Sequence, residues 1–394
     1  MGNDRVRSSR EVSLTTALDL FAGAGGFTFG ARSAGLQVVQ AIEANPHAVR
    51  TYQKNNPGTD VVPRDIRLLD PISGLARIGL KPGDLHVILA GPPCQGFSES
   101  NRRTRTLDNP KNHLYAEVLR FAAALRPRCV IIENVAGLRT LGQGKILESI
   151  VRGCQDLGYH VEWKVLCAAD YRVPQLRNRI FIIACDRSFA SLFPSRLHAA
   201  GSDEVIVSVR EAIDDLPVLR NGAAVDRLRY RRNEKLTEYQ KLMRDGVAEA
   251  GAVQGNLVTN SSDLIVARYR HIRCGDNWES IPRKLLKNYK DVTRCHTGIY
   301  HRLQWDVPSK VLGNFRKNML IHPSQNRGLS VREAARLQSF PDWYEFVGSI
   351  GFQQQQVADA VPPLLAMAVL EHINGLYAGT RQQKRIALRS VVHG

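Results

Sequence analysis

The chain has 394 residues, 43% of them hydrophobic, with 54 Lys and Arg against 37 Asp and Glu, for a formal charge of +17. That length allows a sizeable core and two or three domains, and no run of about eighteen apolar residues exists to form a membrane-spanning helix. The basic excess favours a polyanionic partner, and nucleic acid over a membrane surface, because no convincing amphipathic basic helix is present. Cysteines stand at positions 94, 129, 154, 167, 185, 274 and 295, an odd number without a Cys-x-x-Cys pair. This argues against a disulfide framework and against a zinc or other metal site, and for reduced thiols. The segment Met1–Arg7 has no apolar signal core, and Val6 stands where a myristoylation motif needs Ser or Thr, so a cytoplasmic location is expected.

From Leu14 to about Cys185, short apolar runs alternate with helical stretches, the pattern of a mostly parallel sheet flanked by helices. The first expected strand, Thr16–Leu20, runs into the glycine-rich turn Phe21-Ala22-Gly23-Ala24-Gly25-Gly26-Phe27. Thr28 breaks the Gly-x-Gly-x-x-Gly dinucleotide pattern, which leaves a nucleoside cofactor without a pyrophosphate, above all S-adenosylmethionine, or glycines that serve helix packing. A second strand, Val38–Ile42, ends at Glu43, where a carboxylate can accept both ribose hydroxyls. A helix over Pro46–Asn55 follows, then Asp65, placed to meet an adenine amino group, or else simply a surface acid.

The next strand, His86–Ala90, runs into Gly91-Pro92-Pro93-Cys94-Gln95-Gly96-Phe97-Ser98. Two prolines rule out a helix there, so Cys94 stands on a stiff loop at a strand's carboxyl end, the edge of an open α/β sheet where ligands bind. A lone buried cysteine is otherwise more often a small packing residue. A helix over His113–Leu125 leads to the strand Val130–Glu133 and to Glu133-Asn134-Val135, an acid able to protonate a heterocycle or to cap a helix. A helix over Lys145–Leu157, closed by Gly158, precedes Gln175-Leu176-Arg177-Asn178-Arg179 and a strand at Ile180–Ala184. Two arginines two residues apart project to one side of an extended chain.

After Asp186 the rhythm is lost and a second, basic domain is expected, through Arg227–Arg232 and Arg268–Arg273. Regular pattern returns with a helix capped by Ser330 and Glu333 and stopped by Pro341. The last helix, about Gln354–Leu376, should kink or restart at Pro362-Pro363, and Arg381–Arg389 reads as a basic tail.

In this order the motifs, ending in Arg332-Glu333-Ala334-Ala335-Arg336-Leu337-Gln338 and Gln356-Val357-Ala358-Asp359-Ala360-Val361-Pro362-Pro363, resemble the DNA cytosine-5 methyltransferases of bacterial restriction–modification type. The resemblance covers roughly Leu14 to Gly375. It implies an α/β, class I S-adenosylmethionine-dependent, Rossmann-like sheet with a smaller irregular target-recognition domain. The implied divisions are a catalytic domain over 1–186, a recognition domain over 187–312, a segment completing the catalytic domain over 313–380, and the tail 381–394.

By resemblance, Cys94 is the nucleophile at cytosine carbon 6, Glu133 binds N3 and the exocyclic amine, and Arg179, with Arg177 beside it, holds the base. Cofactor contacts carry over as Phe21, Ala22, Gly23, Gly25, Gly26, Glu43, Asp65, Ile66, Pro92, Asp359 and Ala360. Contacts to the substrate carry over as Pro93, Gln95, Ser98, Asn134, Val135 and Gln175. The implied partner is double-stranded DNA with the target base flipped out, bound by a monomer associated with the nucleoid, and a restriction endonuclease is the suggested functional counterpart. Two departures from the family pattern stand out: Asp359 replaces an asparagine, and Ala44 replaces an aromatic that often stacks on adenine. The alternatives are a tRNA cytosine-5 methyltransferase, whose Cys-Phe-Thr signature is missing, and an inactive DNA-binding relative, disfavoured because the nucleophile and both base-binding residues are present.

Overall fold

The computed structural model describes residues 15–93, 114–197, 206–232, 235–247, 251–287, 298–313, 315 and 319–379. Seven strands form one sheet: β1 (Thr16–Leu20), β2 (Gln37–Ile42), β3 (Asp60–Val62), β4 (Val87–Ala90), β5 (Cys129–Val135), β6 (His160–Cys167) and β8 (Asn178–Cys185), in the order β3-β2-β1-β4-β5-β8-β6, while the short β7 (Gln175–Leu176) pairs outside it with Ser309–Lys310. β1 to β5 pair in parallel, whereas β8 runs antiparallel to both β5 and β6. The strand order reverses between β1 and β4, so the loops leaving their carboxyl ends diverge and open a crevice.

The central strands are apolar at almost every position because both faces are covered. Ala17, Val87, Leu89 and Ile131 point into one core, which also contains helix α1 (Gly26–Ser33) and helix α11 (Pro363–Tyr377). The alternate residues Leu18, Ile88, Val130 and Ile182 point into the other, beneath α4 (Tyr115–Leu125) and α5 (Lys145–Asp156). All five expected strands are present, and α2 (Pro46–Asn55) begins at its Asn45 cap as its sequence suggests. β3 and β6 are additional. β3 has only three residues, and β6 is an edge strand in which Val161, Trp163 and Val165 alternate with the charged Glu162 and Lys164.

The C-terminal pattern does restart at the proline pair: α10 (Ile350–Asp359) ends, Ala360 is extended, and Pro363 opens α11. α11 closes on α1 through glycines. A Cβ on Gly26 would collide with the Val361 carbonyl oxygen, and one on Gly30 would lie 2.5 Å from Ala366 Cβ. Chain that follows the expected boundary at Asp186 also belongs to this core: Leu192, Val207, Val209, Ala212, Ile213 and Leu216 pack into it, with α6 (Val209–Ile213) against α9 (Val331–Leu337).

A separate small core gathers Tyr269, Ile272, Ile281, Leu286, Tyr300 and Ile321. Here the arginine-rich stretch is partly internal. Arg268 is buried and donates to the Leu285 carbonyl and to Tyr300 Oη, and the buried Arg302 donates to the carbonyls of Tyr269, Ile272, His322 and Gln325. In a unit with little regular secondary structure, guanidinium groups take over the pairing of loop carbonyls that a ladder would supply. No helix among the described residues is long and apolar enough to cross a membrane.

Candidate active site

The crevice is lined by the carboxyl ends of β1, β2, β4 and β5, by the chain entering β8, and by the end of α10. After β1 the backbone turns sharply, with Phe21, Gly23 and Gly25 all at positive φ. The turn is pinned from several sides: Ala22 N donates to the Ile42 carbonyl, Gly23 N to Glu43 Oε2 at 2.8 Å, and Tyr344 Oη to the Ala24 carbonyl. At Gly23 an added Cβ would meet nothing within 4 Å, so the turn's outer side faces open space. Beneath it, the wholly buried Asp19 accepts from Thr28 Oγ1 at 2.6 Å, and Thr28 in turn contacts Tyr52 Oη at 2.8 Å. Burial pushes the Asp19 carboxyl up to about 7, against the lowering effect of the Thr28 hydrogen bond.

Glu43 accepts from Asn45 N at 2.6 Å as well as from Gly23 N, and burial raises its carboxyl above the usual range. A carboxylate has about four lone-pair sites, so each oxygen retains capacity for a ligand hydroxyl. Asp65 is arranged differently. It caps the short turn Ile66–Leu68, and Arg67 engages both of its oxygens, through backbone and guanidinium, holding it below the usual range. Ile66 beside it is buried.

Gly91, Pro92 and Pro93 leave β4 at the same edge, while Cys94, Gln95 and Ser98 lie outside the described residues. A Cβ on Gly91 would be 3.9 Å from both Glu133 Oε2 and Val361 Cγ2, which places the Glu133 carboxylate beside this loop. Asn134 ties the two together, since its Nδ2 donates to the Pro92 carbonyl at 3.5 Å while its Oδ1 accepts from Val135 N. Arg179 Nε lies 2.9 Å from Glu133 Oε1, with side chains 12% and 10% exposed respectively. Burial raises the Glu133 carboxyl, and Arg179 and Arg177 oppose the rise.

Arg177 and Gln175 turn inward. Arg177 is buried, and its Nη2 donates to the carbonyls of Ala358 and Ala360 at 3.0 and 3.2 Å. Gln175 is fully buried, its Nε2 donating to Gln338 Oε1 and the Leu337 carbonyl while its Oε1 accepts from Leu312 N. Both of its N–H groups are therefore consumed, and the expected contact of Gln175 with substrate does not fit this geometry. Instead Gln338, oriented by Gln175, donates to the Ala360 carbonyl at 2.6 Å, so the Gln-x-Arg segment fixes the start of the proline-rich stretch. Among the described residues, no group of three or more His, Cys, Asp or Glu side chains is placed to hold a metal ion.

The family model of C-5 cytosine-specific DNA methylase matches residues 15–375. The chain belongs to this family. It is 36% identical over 360 residues to the Type II methyltransferase M1.HphI of Haemophilus parahaemolyticus, covering 91% of this chain and 86% of that protein. To the Type II methyltransferase M.AgeI of Thalassovita gelatinovora it is 31% identical, with 90% and 98% covered. Among solved structures, a prophage-encoded protein of E. coli, assigned as a DNA modification methyltransferase, superimposes with a TM-score of 0.73 at 25% identity, covering 92% of this chain and 99% of that one. The sheet is thus that of a cytosine-5 methylase, with its antiparallel β8 and a C-terminal helix closing on α1.

For a methylase of this family, the residues that motif reading overlooked are those supporting the named ones. Gln355 donates to both oxygens of Asp359 at 2.7 Å each, and the spacing of four on a helix is a signal for such a contact. Val361 beside Gly91 and the Asp19–Thr28–Tyr52 group beneath the turn carry no such local signal, because they come together only through packing.

Proposed function

We propose that this cytosine-5 methylase transfers the methyl group of S-adenosylmethionine to carbon 5 of a cytosine flipped out of duplex DNA, through a covalent bond between Cys94 and carbon 6. The observation that carries the proposal is the Glu133–Arg179 pair, a protonatable acid and a fixed cation side by side at the ligand edge, next to the loop that leads into Cys94. When bound, the cofactor supplies an electrophilic methyl group on a sulfonium. The crevice suits it: Glu43 retains acceptor capacity for ribose hydroxyls and the Gly23 turn leaves open space, and in this reading Asp359 and Ala360 close the methionine end.

The residues then act in sequence. The Cys94 thiolate adds to carbon 6, which makes carbon 5 enamine-like and nucleophilic. Glu133, held toward its protonated form by burial, donates to N3 as negative charge develops there. Arg179 fixes the base, Asn134 and Val135 line its edge, and Pro92 and Pro93 stiffen the loop that carries the nucleophile. After transfer, a base such as pocket water removes the proton from carbon 5, and Cys94 leaves. Extruding the cytosine costs a few kcal/mol, which phosphate contacts from the basic surface offset. The small unit around Tyr269 and Tyr300 faces DNA in this reading, and the Type II relatives favour a site-specific modification enzyme working alongside an endonuclease.

Purified protein with radiolabelled S-adenosylmethionine should label duplex DNA and not tRNA, and Cys94→Ala should abolish labelling. Labelling of tRNA alone, or a fully active Cys94→Ala variant, would overturn the reading. Bisulfite sequencing of DNA from cells expressing the chain then gives the target sequence.

A further inference from the structure

Asp359 is oddly placed for a carboxylate. It is the last residue of α10, where the helix dipole is negative, and that last turn has no basic residue. Its surroundings desolvate it and raise its carboxyl, yet its side chain remains open to solvent, a combination that marks a group lining a cleft. It is also held firmly. Gln355 Nε2 grips both carboxylate oxygens, and Arg177 fixes the carbonyls on either side, at Ala358 and Ala360. Two flanking carbonyls pinned by one guanidinium leave the side chain between them little freedom to swing away.

Its position along the crevice is equally specific. On one side the next residue, Ala360, packs at the glycine turn, its Cβ 3.3 Å from where a Cβ on Gly26 would stand, and Glu43 pins that turn at the end proposed for ribose. On the other, Val361 Cγ2 and Glu133 Oε2 would each lie 3.9 Å from a Cβ on Gly91, and Glu133 pairs with Arg179 at the end proposed for cytosine. The group that must lie between a ribose and a cytosine carbon 5 is the sulfonium that carries the methyl. Among the described residues Asp359 has no ion-pair partner; Arg177 donates through Nη2 to the backbone carbonyls on either side of it, and its Nε and Nη1 make no hydrogen bond to the carboxylate.

We infer that Asp359 is a charge-selecting residue, which attracts the cationic sulfonium of S-adenosylmethionine and gives no such attraction to the neutral thioether left after transfer. The inference rests on the methyltransferase reading above. Methyl transfer removes one positive charge from the ligand, so the contact that favours entry disappears on turnover and product leaves more readily. The two ligands share adenosine, amine and carboxylate, so their difference in affinity isolates the methyl and its charge.

The test is calorimetric binding of S-adenosylmethionine, S-adenosylhomocysteine and an analogue bearing an ammonium in place of the sulfonium, to the full chain and to Asp359→Asn. The two cationic ligands should weaken about tenfold in the variant while the thioether is unchanged, the scale of one partly screened charge pair. Equal loss for all three ligands, or no loss, overturns the inference. Should the variant fail to fold, the intact protein decides: its preference for the cationic ligands should fall severalfold when ionic strength rises from about 0.02 to 0.5 M, and a constant preference refutes charge selection. Binding of none of the three to the intact protein would instead overturn the methyltransferase reading itself, and this inference with it.

Discussion

Arg179 Nε lies 2.9 Å from Glu133 Oε1, although the two are not register partners: Glu133 faces Phe181 and Arg179 faces Val135. The pair therefore runs diagonally across one face of the β5–β8 ladder, a reach that long side chains make easily. Such an arrangement brings acid and cation to the crevice while Phe181, opposite Glu133, and Ile131, two residues before it on the same face, remain in the core.

Glu133 as a proton donor works in its protonated form, so activity should decline as pH rises through its folded pKa. Burial raises that pKa and Arg179 lowers it. Arg179→Gln should cut methyl transfer by about 10²- to 10³-fold, within the range for acid–base and positioning groups. It should also move the alkaline limb of the single-turnover pH profile to higher pH, because a lowering influence is gone. A limb that moves to lower pH would contradict the assignment.

Asp19 links stability to pH in the opposite direction to most carboxylates. Its folded value is about 7 against 3.8 unfolded, so above about pH 4 the unfolded chain gives up a proton that the folded chain retains. Stability contributed by this group is complete below pH 4 and is lost as pH rises through 7. Between pH 5 and 7.5 the loss is about 2 to 3 kcal/mol, at about 1.4 kcal/mol per unit. Asp19→Asn should remove it, so urea unfolding of the variant should change less over that interval than unfolding of the parent.

Arg336 holds two carboxylates in the dark. Its Nη1 is 2.8 Å from Asp215 Oδ1 and its Nη2 is 2.6 Å from Asp342 Oδ2, all three side chains being fully buried. Arg336→Met should destabilise the fold by about 3 to 5 kcal/mol, since it leaves the buried Asp342 with only the Tyr230 hydroxyl and Arg332 at 3.9 Å, and the buried Asp215 with only Arg244. Denaturant unfolding followed by circular dichroism measures the loss.

Gly30 lets α11 settle against α1. Gly30→Ala places a methyl 2.5 Å from Ala366 Cβ and 2.8 Å from Met367 N, and should cost about 1 to 3 kcal/mol through overpacking. The helix gain from alanine is smaller, so the sign is destabilising. A rise in melting temperature would show that α11 can shift without penalty.

The motifs located the crevice well because strand ends, turns and caps have local signatures. Glu43, Glu133 and Gly91–Pro93 all stand at carboxyl ends of strands, and the Ser330–Glu333 capping box is formed as its spacing suggests. The same reading placed Gln175 at the substrate, because an extended Gln-x-Arg-x-Arg gives no hint of what packs over it. Gln338, 163 residues on, occupies the amide of Gln175 instead.

By itself the sequence determined the alternation of strands and helices, the basic charge, the family resemblance and the identity of the acids at the sheet edge. These follow from side-chain period, backbone stereochemistry and motif order, which are properties of neighbours in the chain. Tertiary structure alone decided which charges are internal. Nothing local marks Arg268, Arg302 and Arg336 as internal in an arginine-rich chain, yet each is buried against carbonyls or carboxylates. It also decided how the end of α10 around Asp359 is held, because the carbonyls on either side accept from a guanidinium 182 residues earlier in the chain. Burial and electrostatic neighbourhood are set by segments far apart in sequence, and no local pattern encodes them.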